Sequence, residues 1–139
     1  MVMGYGQAHE SAEALVRAMF RSWETLDPDT ILAFFTDDVV FENVPSGTTR
    51  GKDEFRALLA GVSKMTSNHA YEVRHMATAG DLVFAERIDR YQIGEHAIAV
   101  PVLGAFQIRE GRISEWRDYF DKEMAGVHLF PSRLHATPA

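Results

Sequence analysis

Two stretches of the chain place charged side chains on faces that are otherwise apolar. Side chains alternate along a strand, so Arg87 and Asp89 share one face of a predicted strand with apolar neighbours. In a later strand Asp118 shares a face with Trp116 and Phe120. If both faces turn inward, an arginine meets two carboxyl groups in an apolar cavity. Two carboxyl groups in opposite protonation states can act as general base and general acid in one step.

The opposite orientation of the same strands is also compatible with the alternation. The charged residues would then form a solvated face or a structural salt bridge, and the core side chains would be Leu82, Phe84, Ile88, Ile113 and Tyr119. Burying an unpaired charge costs several kcal/mol, on the order of the whole stability of a domain. The charged residues must therefore pair inside the protein or face solvent, and alternation alone leaves both orientations open.

Amphipathic segments in the first half predict helices that cover such a cavity. Apolar residues recur at intervals of three and four over residues 11–23, and again in a segment that opens at Gly51. Between them, Asp27 and the proline after it give an N-cap and a first-turn proline for a short helix that ends near Thr36. A short strand over residues 39–43 precedes the third helix.

The second half predicts long strands joined by tight hairpins. Alternating runs cover residues 71–78, 82–93, 96–109 and 112–120, and each short link between them contains glycine. Helices followed by an antiparallel sheet are typical of an α+β fold. We therefore expect a curved antiparallel or mixed β-sheet with the N-terminal helices packed on its concave face, forming a cone-shaped pocket.

Length and composition narrow the classes of function. With 139 residues, the whole chain is expected to form a single domain with a core of about residues 8–130. Residues 1–7 and 131–139 are predicted to be flexible tails or a cover over the pocket. The absence of cysteine excludes thiolate nucleophiles and sulfur-ligated metal sites. A net charge of −6 argues against a nucleic-acid partner, no apolar run suits a membrane span, and a cytoplasmic protein is expected.

Common catalytic motifs are missing from the sequence. The histidines show no metal-ligand spacing and are interpreted as scattered surface or loop residues: His9, His69, His75, His96, His128 and His135. No glycine-rich dinucleotide loop follows a strand, and no G-x-S-x-G nucleophile elbow occurs. The sequence therefore predicts neither a metal nor a cofactor.

Several separated segments resemble the limonene epoxide hydrolases. They are Phe35-Thr36-Asp37-Asp38, Asn43-Val44-Pro45, Glu86-Arg87-Ile88-Asp89, Leu103-Gly104-Ala105-Phe106-Gln107 and Trp116-Arg117-Asp118-Tyr119-Phe120-Asp121. Because these segments agree in sequence and in order, the resemblance extends over nearly the whole chain. It implies the cone-shaped α+β fold that ketosteroid isomerases and polyketide cyclases share, also called nuclear transport factor two-like or cystatin-like. It also implies a cofactor-independent hydrolase that is usually a homodimer.

The resemblance assigns roles to the residues that carry it. It implies that Asp118 is the general base on water, that Asp89 is the general acid on the epoxide oxygen, and that Arg87 lies between them. Asn43 would orient the attacking water. The expected partners are a small lipophilic epoxide, cyclic or terpene-like, and water, and the expected product is a vicinal diol.

One departure from the family pattern concerns the attacking water. The family holds this water with an asparagine and a tyrosine two residues apart, and here Phe41 stands in the place of the tyrosine. Tyr71 or Tyr91 could restore a hydroxyl group, although both fit ordinary core positions better. Two other functions stay open: an isomerase or cyclase that uses Asp118 as its base, and a non-catalytic module that binds small molecules.

Large apolar side chains are candidates for the wall of the pocket. The residues assigned to substrate binding are Phe41, Tyr91, Val100, Val102, Trp116, Phe120, Leu32 and Phe35. Each of them also fits a plain core position. A lipophilic substrate requires such a wall, with a few polar groups that fix its orientation.

Overall fold

The computed structural model describes residues 11–126 and 129 of the chain. The helices are α1 (Ala12–Ser22), α2 (Pro28–Leu32) and α3 (Gly51–Met65), with a 3₁₀ turn at Trp23–Thr25. The strands are β1 (Phe35–Asn43), β2 (Gly47–Arg50), β3 (Ser67–Ala79), β4 (Leu82–Ile93), β5 (His96–Arg109) and β6 (Arg112–Tyr119). The tails predicted at residues 1–7 and 131–139 lie outside the described residues.

The strands form one six-stranded sheet in the order β2-β1-β6-β5-β4-β3. Neighbouring strands are antiparallel except β1 and β6, which run parallel. Helix α1 packs against β3 and β4, and α3 packs against β1 and β2. The predicted α+β architecture with a mixed sheet is therefore confirmed.

Local sequence explains where the first two helices begin. The side chain of Ser11 accepts a hydrogen bond from the backbone N–H of Ala14 at 3.0 Å, which caps α1. The carboxylate of Asp27 does the same for Thr30 at 2.9 Å, ahead of a proline in the first turn of α2. The apolar side of α1, which includes Val16 and Met19, is fully buried in the main core under the helices.

The end of the second helix and the presence of strand β2 differ from the sequence-based expectation, and β1 and β3 begin earlier, at Phe35 and Ser67 rather than at residues 39 and 71. The second helix ends at Leu32 rather than near Thr36, because the carbonyl of Phe34 accepts a hydrogen bond from the N–H of Ile113 and Phe35 already pairs with β6. Strand β2 was not expected, since its four residues lack an apolar alternation and form an edge strand beside β1. Pairing in the tertiary structure decides both features, and local sequence does not show it.

The charged residues lie on the concave face of the sheet, beneath the helices. Arg87, Asp89 and Asp118 are buried, at 1%, 8% and 5% exposure. Phe84 and Tyr119, which the opposite orientation would place in the core, are 38% and 49% exposed. The solvated orientation is therefore wrong, and the reason is that the buried charges pair with one another.

Candidate active site

Arg87 binds two carboxylates at once. On the Asp89 side, its Nε donates to Oδ1 at 2.7 Å and its Nη2 to Oδ2 at 3.0 Å. On the Asp118 side, its Nη1 donates to Oδ1 at 3.1 Å and its Nη2 to Oδ2 at 2.6 Å. One guanidinium therefore holds two carboxyl groups from neighbouring parts of the sheet in fixed register. We call these three residues the acid–base cluster.

Aromatic rings enclose the guanidinium of this cluster. The Arg87 Cζ lies 4.8 Å from the ring centroid of Phe20, 5.5 Å from that of Tyr71 and 5.7 Å from that of Trp116. These contacts exclude water and add cation–π attraction. Burial opposes the charge on Arg87, but the two carboxylates outweigh burial, and the pKa of the guanidinium is raised.

The environments of the two carboxyl groups differ. Burial and the charge of Asp118 raise the pKa of Asp89 to about 6, against the opposing effect of Arg87. Asp118 accepts one more hydrogen bond than Asp89 does, because the Trp116 indole donates to its Oδ1 at 2.6 Å. Hydrogen bonds to a carboxylate favour its ionised form. The carboxyl group with the raised pKa, that of Asp89, therefore lies beside one that accepts an additional hydrogen bond, that of Asp118.

Gly104 on β5 makes this close contact possible. It pairs with Asp118 on β6 and with Ala85 on β4. A Cβ atom at this position would lie 2.6 Å from Arg87 Nη1 and 2.8 Å from Asp118 Oδ1, both shorter than real contacts. Because no side chain rises from Gly104, the ion pair can lie directly against the strand.

The parallel pairing of β1 and β6 brings Asn43 to the cluster. Asn43 stands opposite Asp118 in the register, and both residues line the same cavity. Phe41, two residues earlier, stands opposite Trp116 and also lines the cavity. Its ring stacks on Phe55 with centroids 5.1 Å apart, and it carries no hydroxyl group toward the space beside Asn43.

The cavity above the cluster has a volume of about 200 Å³. Its wall is mostly apolar, and both carboxyl groups of the cluster reach it, as does Asn43. Of the residues assigned to substrate binding, those that line it are Phe41, Tyr91, Val100, Val102, Trp116 and Phe120. Leu32 and Phe35 do not line it. They lie in the main core: Leu32 is buried at the end of α2, and the ring of Phe35, at the start of β1, packs against the rings of Phe55 and Trp116.

The two tyrosines that were candidates for a missing hydroxyl group differ in structure. Both line the cavity. The hydroxyl of Tyr91 donates to the carbonyl of Ala125 at 2.6 Å, so its proton is already engaged. Tyr71 stands opposite Asp89 across β3 and β4, and its hydroxyl makes no hydrogen bond within the described part of the chain.

Several cavity residues were not assigned to the site from the sequence. They are Trp23, Ser46, Leu58, Val62, Thr66, His69 and Ala125. His69 was interpreted as a surface or loop residue, and this is wrong, because it is 8% exposed and points inward from β3. The missed signal was alternation with Tyr71 and Val73, which share the inward face of that strand.

Within residues 11–126 and 129, no group of three or more histidine, aspartate or glutamate side chains is placed to hold a metal ion. Among the helices that the structure describes, none has the length and apolar character that crossing a membrane requires.

Sequence comparison relates the chain to known proteins. The family model for the limonene-1,2-epoxide hydrolase catalytic domain matches residues 10–126. The epoxide hydrolase EphG of Mycobacterium tuberculosis is 35% identical over 108 residues, which cover 76% of this chain and 70% of that protein.

Solved structures of other proteins share this fold. An LEH-like epoxide hydrolase of M. tuberculosis superposes with a TM-score of 0.74 at 31% identity, covering 85% of this chain and 88% of that one. A SnoaL-like polyketide cyclase of Shewanella denitrificans OS-217 reaches a TM-score of 0.76 at 18% identity, covering 85% and 96%. At that lower identity the second likeness concerns the fold alone.

Proposed function

The chain belongs to the limonene-1,2-epoxide hydrolase family, and from this premise we propose that it adds water to a small lipophilic epoxide and releases a vicinal diol. The observation that carries the proposal is one buried arginine shared by two carboxyl groups at the wall of an apolar cavity. A cavity of about 150 Å³ holds benzene. A volume of about 200 Å³ therefore suits a substrate built on one ring.

The charge balance of the cluster supplies the acid. With both carboxyl groups ionised, one guanidinium leaves a net charge of −1 in a buried site, which is costly. Uptake of one proton makes the cluster neutral. We assign that proton to Asp89, because burial and Asp118 raise its pKa to about 6, while Asp118 keeps three hydrogen-bond donors on its ionised form.

The reaction then proceeds in one step. Asp118 takes a proton from a water molecule as the water oxygen bonds to an epoxide carbon. The bond between that carbon and the epoxide oxygen breaks, and Asp89 gives its proton to the oxygen as it leaves. Each proton transfer of this kind contributes about 10²–10⁴-fold to the rate. Afterwards one proton returns from Asp118 to Asp89 through water, which restores the starting state.

Asn43 is proposed to hold the attacking water. Its position opposite Asp118 and its place in the cavity wall support this role. The amide has no hydrogen-bond partner among the described residues, so both its donor and its acceptor are open to water. Because Phe41 lacks the hydroxyl group of the family's tyrosine, the water loses one partner, which costs about 0.5–1.5 kcal/mol.

The departure at Phe41 is also what favours a second candidate. An isomerase or cyclase would use Asp118 as the base on a carbon acid or on a hydroxyl group of the substrate, and Asp89 as a hydrogen-bond donor to the developing oxyanion. Such an enzyme needs no attacking water, so it needs no tyrosine at position 41. Its product would contain no oxygen from solvent.

The test of the proposed function is diol formation from cyclohexene oxide and its alkyl derivatives. Asp118→Asn and Asp89→Asn are each expected to lower kcat by about 10²–10⁴-fold. Glu72→Gln, an exposed carboxylate on the outer face of β3, is the matched control and is expected to keep full activity. Failure to form diol from any of these epoxides, or full activity in Asp118→Asn, would overturn the proposal.

A further inference from the structure

Three aromatic side chains with polar atoms meet at one side of the cavity. The ring centroids of Trp23 and His69 are 5.9 Å apart, those of Trp23 and Tyr71 6.0 Å, and those of His69 and Tyr71 6.3 Å. All three residues line the cavity. We call them the polar corner, because the mechanism proposed above uses none of their polar atoms.

The tautomer of His69 follows from its neighbour Thr66. The Thr66 hydroxyl donates to the carbonyl of Val62 at 2.7 Å, so its oxygen accepts from the other contact, His69 Nε2 at 2.6 Å. Nε2 therefore carries the hydrogen, and Nδ1 is an acceptor. Burial lowers the pKa of His69 to about 4, so the ring is neutral near pH 7.

Each residue of the polar corner has an unused hydrogen-bonding atom. His69 Nδ1 and Trp23 Nε1 are both buried and have no hydrogen-bond partner within the described part of the chain. The first is an acceptor and the second a donor. The Tyr71 hydroxyl, which can do either, also lacks a partner among these residues. Buried polar groups in native proteins are nearly always paired, so an unpaired donor beside an unpaired acceptor points to a ligand group.

We propose that the polar corner binds a hydroxyl group of the substrate, so that the epoxide is one that also carries an alcohol. A hydroxyl group can donate to His69 Nδ1 and accept from the Trp23 N–H, satisfying both. A ketone only accepts and would leave Nδ1 unpaired. A carboxylate only accepts as well, so it would also leave Nδ1 unpaired. This inference rests on the proposed function and narrows its substrate class.

The position of the polar corner sets the distance between the two functional groups of the substrate. Tyr71 stands opposite Asp89, and His69 lies two residues further along β3, where its ring stacks on Tyr91 at 5.2 Å. Two strand residues span roughly 7 Å. The alcohol is therefore separated from the epoxide oxygen by the width of one ring.

Three epoxides of nearly equal shape test this inference: 4-(1-hydroxyethyl)-, 4-acetyl- and 4-isopropylcyclohexene oxide. We expect kcat/KM to be at least tenfold higher for the alcohol than for the isopropyl compound, with the ketone in between. In His69→Phe and in Trp23→Phe, the ratio of kcat/KM for the alcohol to kcat/KM for the isopropyl compound is expected to fall toward one. The value of kcat/KM for the isopropyl compound itself should change far less. The matched control is His75→Phe, an exposed histidine on the outer face of the same strand, which should keep the full preference.

The outcomes separate this inference from the proposed function. If none of the three epoxides gives a diol, the proposed function fails. If the isopropyl compound reacts as fast as the alcohol, the proposed function stands and the polar corner is not a hydroxyl site.

A measurement without turnover provides an independent check. In ¹⁵N NMR of histidine-labelled protein, His69 Nδ1 is expected to be unprotonated and to shift on addition of 1-cyclohexylethanol but not of isopropylcyclohexane. A protonated Nδ1, or no response to the alcohol, would overturn the inference.

Discussion

Both faces of the sheet carry ion pairs between arginine and acidic side chains, but the pairs differ in burial and in the number of acidic partners. On the outer face Arg90 lies 3.1 Å from Glu72, and both side chains are about half exposed, at 52% and 53%. On the concave face the side chain of Arg87 is fully buried and contacts two carboxylates at 2.6 and 2.7 Å. Both arginines belong to β4, only three residues apart.

The difference lies in solvent access and in the number of partners. Water and salt screen the exposed pair, which has one charge of each sign, so it has little effect on stability or protonation. The buried arginine has two acidic partners, and because all three side chains are largely buried, solvent screens their charges far less. The surplus negative charge there favours uptake of a proton, and a carboxylic acid becomes available near neutral pH. The same residue types thus form a surface contact on one face and, on the other, the buried cluster to which we assign the acid and the base.

The largest expected effect comes from removing each arginine in turn. Arg87→Met leaves two buried carboxyl groups without their cation and is expected to cost about 3–5 kcal/mol of unfolding free energy. Arg90→Met, on the outer face, is expected to cost less than about 1 kcal/mol. Urea denaturation at pH 7 measures both values. Equal losses would show that the two faces do not differ as described.

The next effect concerns the close contact at Gly104. In Gly104→Ala the new methyl group overlaps Arg87 and Asp118, which is expected to cost about 1–3 kcal/mol. A displacement of about 1 Å in a catalytic group can cost about 10²-fold in rate, so kcat should fall by that order. Leu103→Ala, at an exposed neighbouring position, is the control. An active Gly104→Ala variant would mean that the cluster tolerates separation.

The pH dependence distinguishes the buried acid from the exposed carboxylates. In the proposed mechanism Asp89 donates its proton, and its pKa is raised to about 6, so kcat/KM is expected to fall about tenfold per pH unit above about pH 6. The same proton contributes to folding stability. Because the pKa of Asp89 is higher in the folded protein than in the unfolded chain, folding stability also falls as pH rises toward about 6.

The variant Asp118→Asn sharpens this test. The charge of Asp118 is one cause of the raised pKa of Asp89, so its removal should lower that pKa. Carbon-13 NMR of the Asp89 carboxyl group measures the change. An unchanged pKa would contradict the electrostatic coupling within the cluster.

The smallest effect is expected from a substitution that restores the family's tyrosine at position 41. Phe41→Tyr adds a hydroxyl group beside the water proposed at Asn43, and is expected to raise kcat by up to about tenfold, since one hydrogen bond is worth about 0.5–1.5 kcal/mol. Phe84→Tyr, on the exposed outer face, is the matched control. A drop in activity in Phe41→Tyr would instead indicate that this protein has adapted its cavity to a phenylalanine.

The sequence predicts more of the fold than of the site. Periodicity identified the three helices and the long strands, because each buries one face along a continuous segment. It missed β2, whose four residues depend on β1 for their structure. It also placed Phe35 in a helix, because the hydrogen bonds that draw this segment into the sheet come from β6.

For the site, alternation identified the faces but not which of them points inward. The resemblance to a family resolved that choice for Arg87, Asp89 and Asp118. It did not show that Trp116 donates to Asp118, or that Gly104 leaves room for the ion pair. Trp116 and Asp118 share one face of β6, but alternation does not show that the indole points toward the carboxylate. The space at Gly104 depends on side chains of the two neighbouring strands, β4 and β6, and a single sequence carries no record of that contact.

The most direct test of the acid–base cluster is a single turnover in ¹⁸O-water with enzyme in excess over cyclohexene oxide. If Asp118 acts as a base on water, the diol from the first turnover contains one ¹⁸O atom and the protein contains none. An unlabelled diol together with ¹⁸O in the carboxyl group of Asp118 would show that Asp118 attacks the epoxide itself, and would contradict the account.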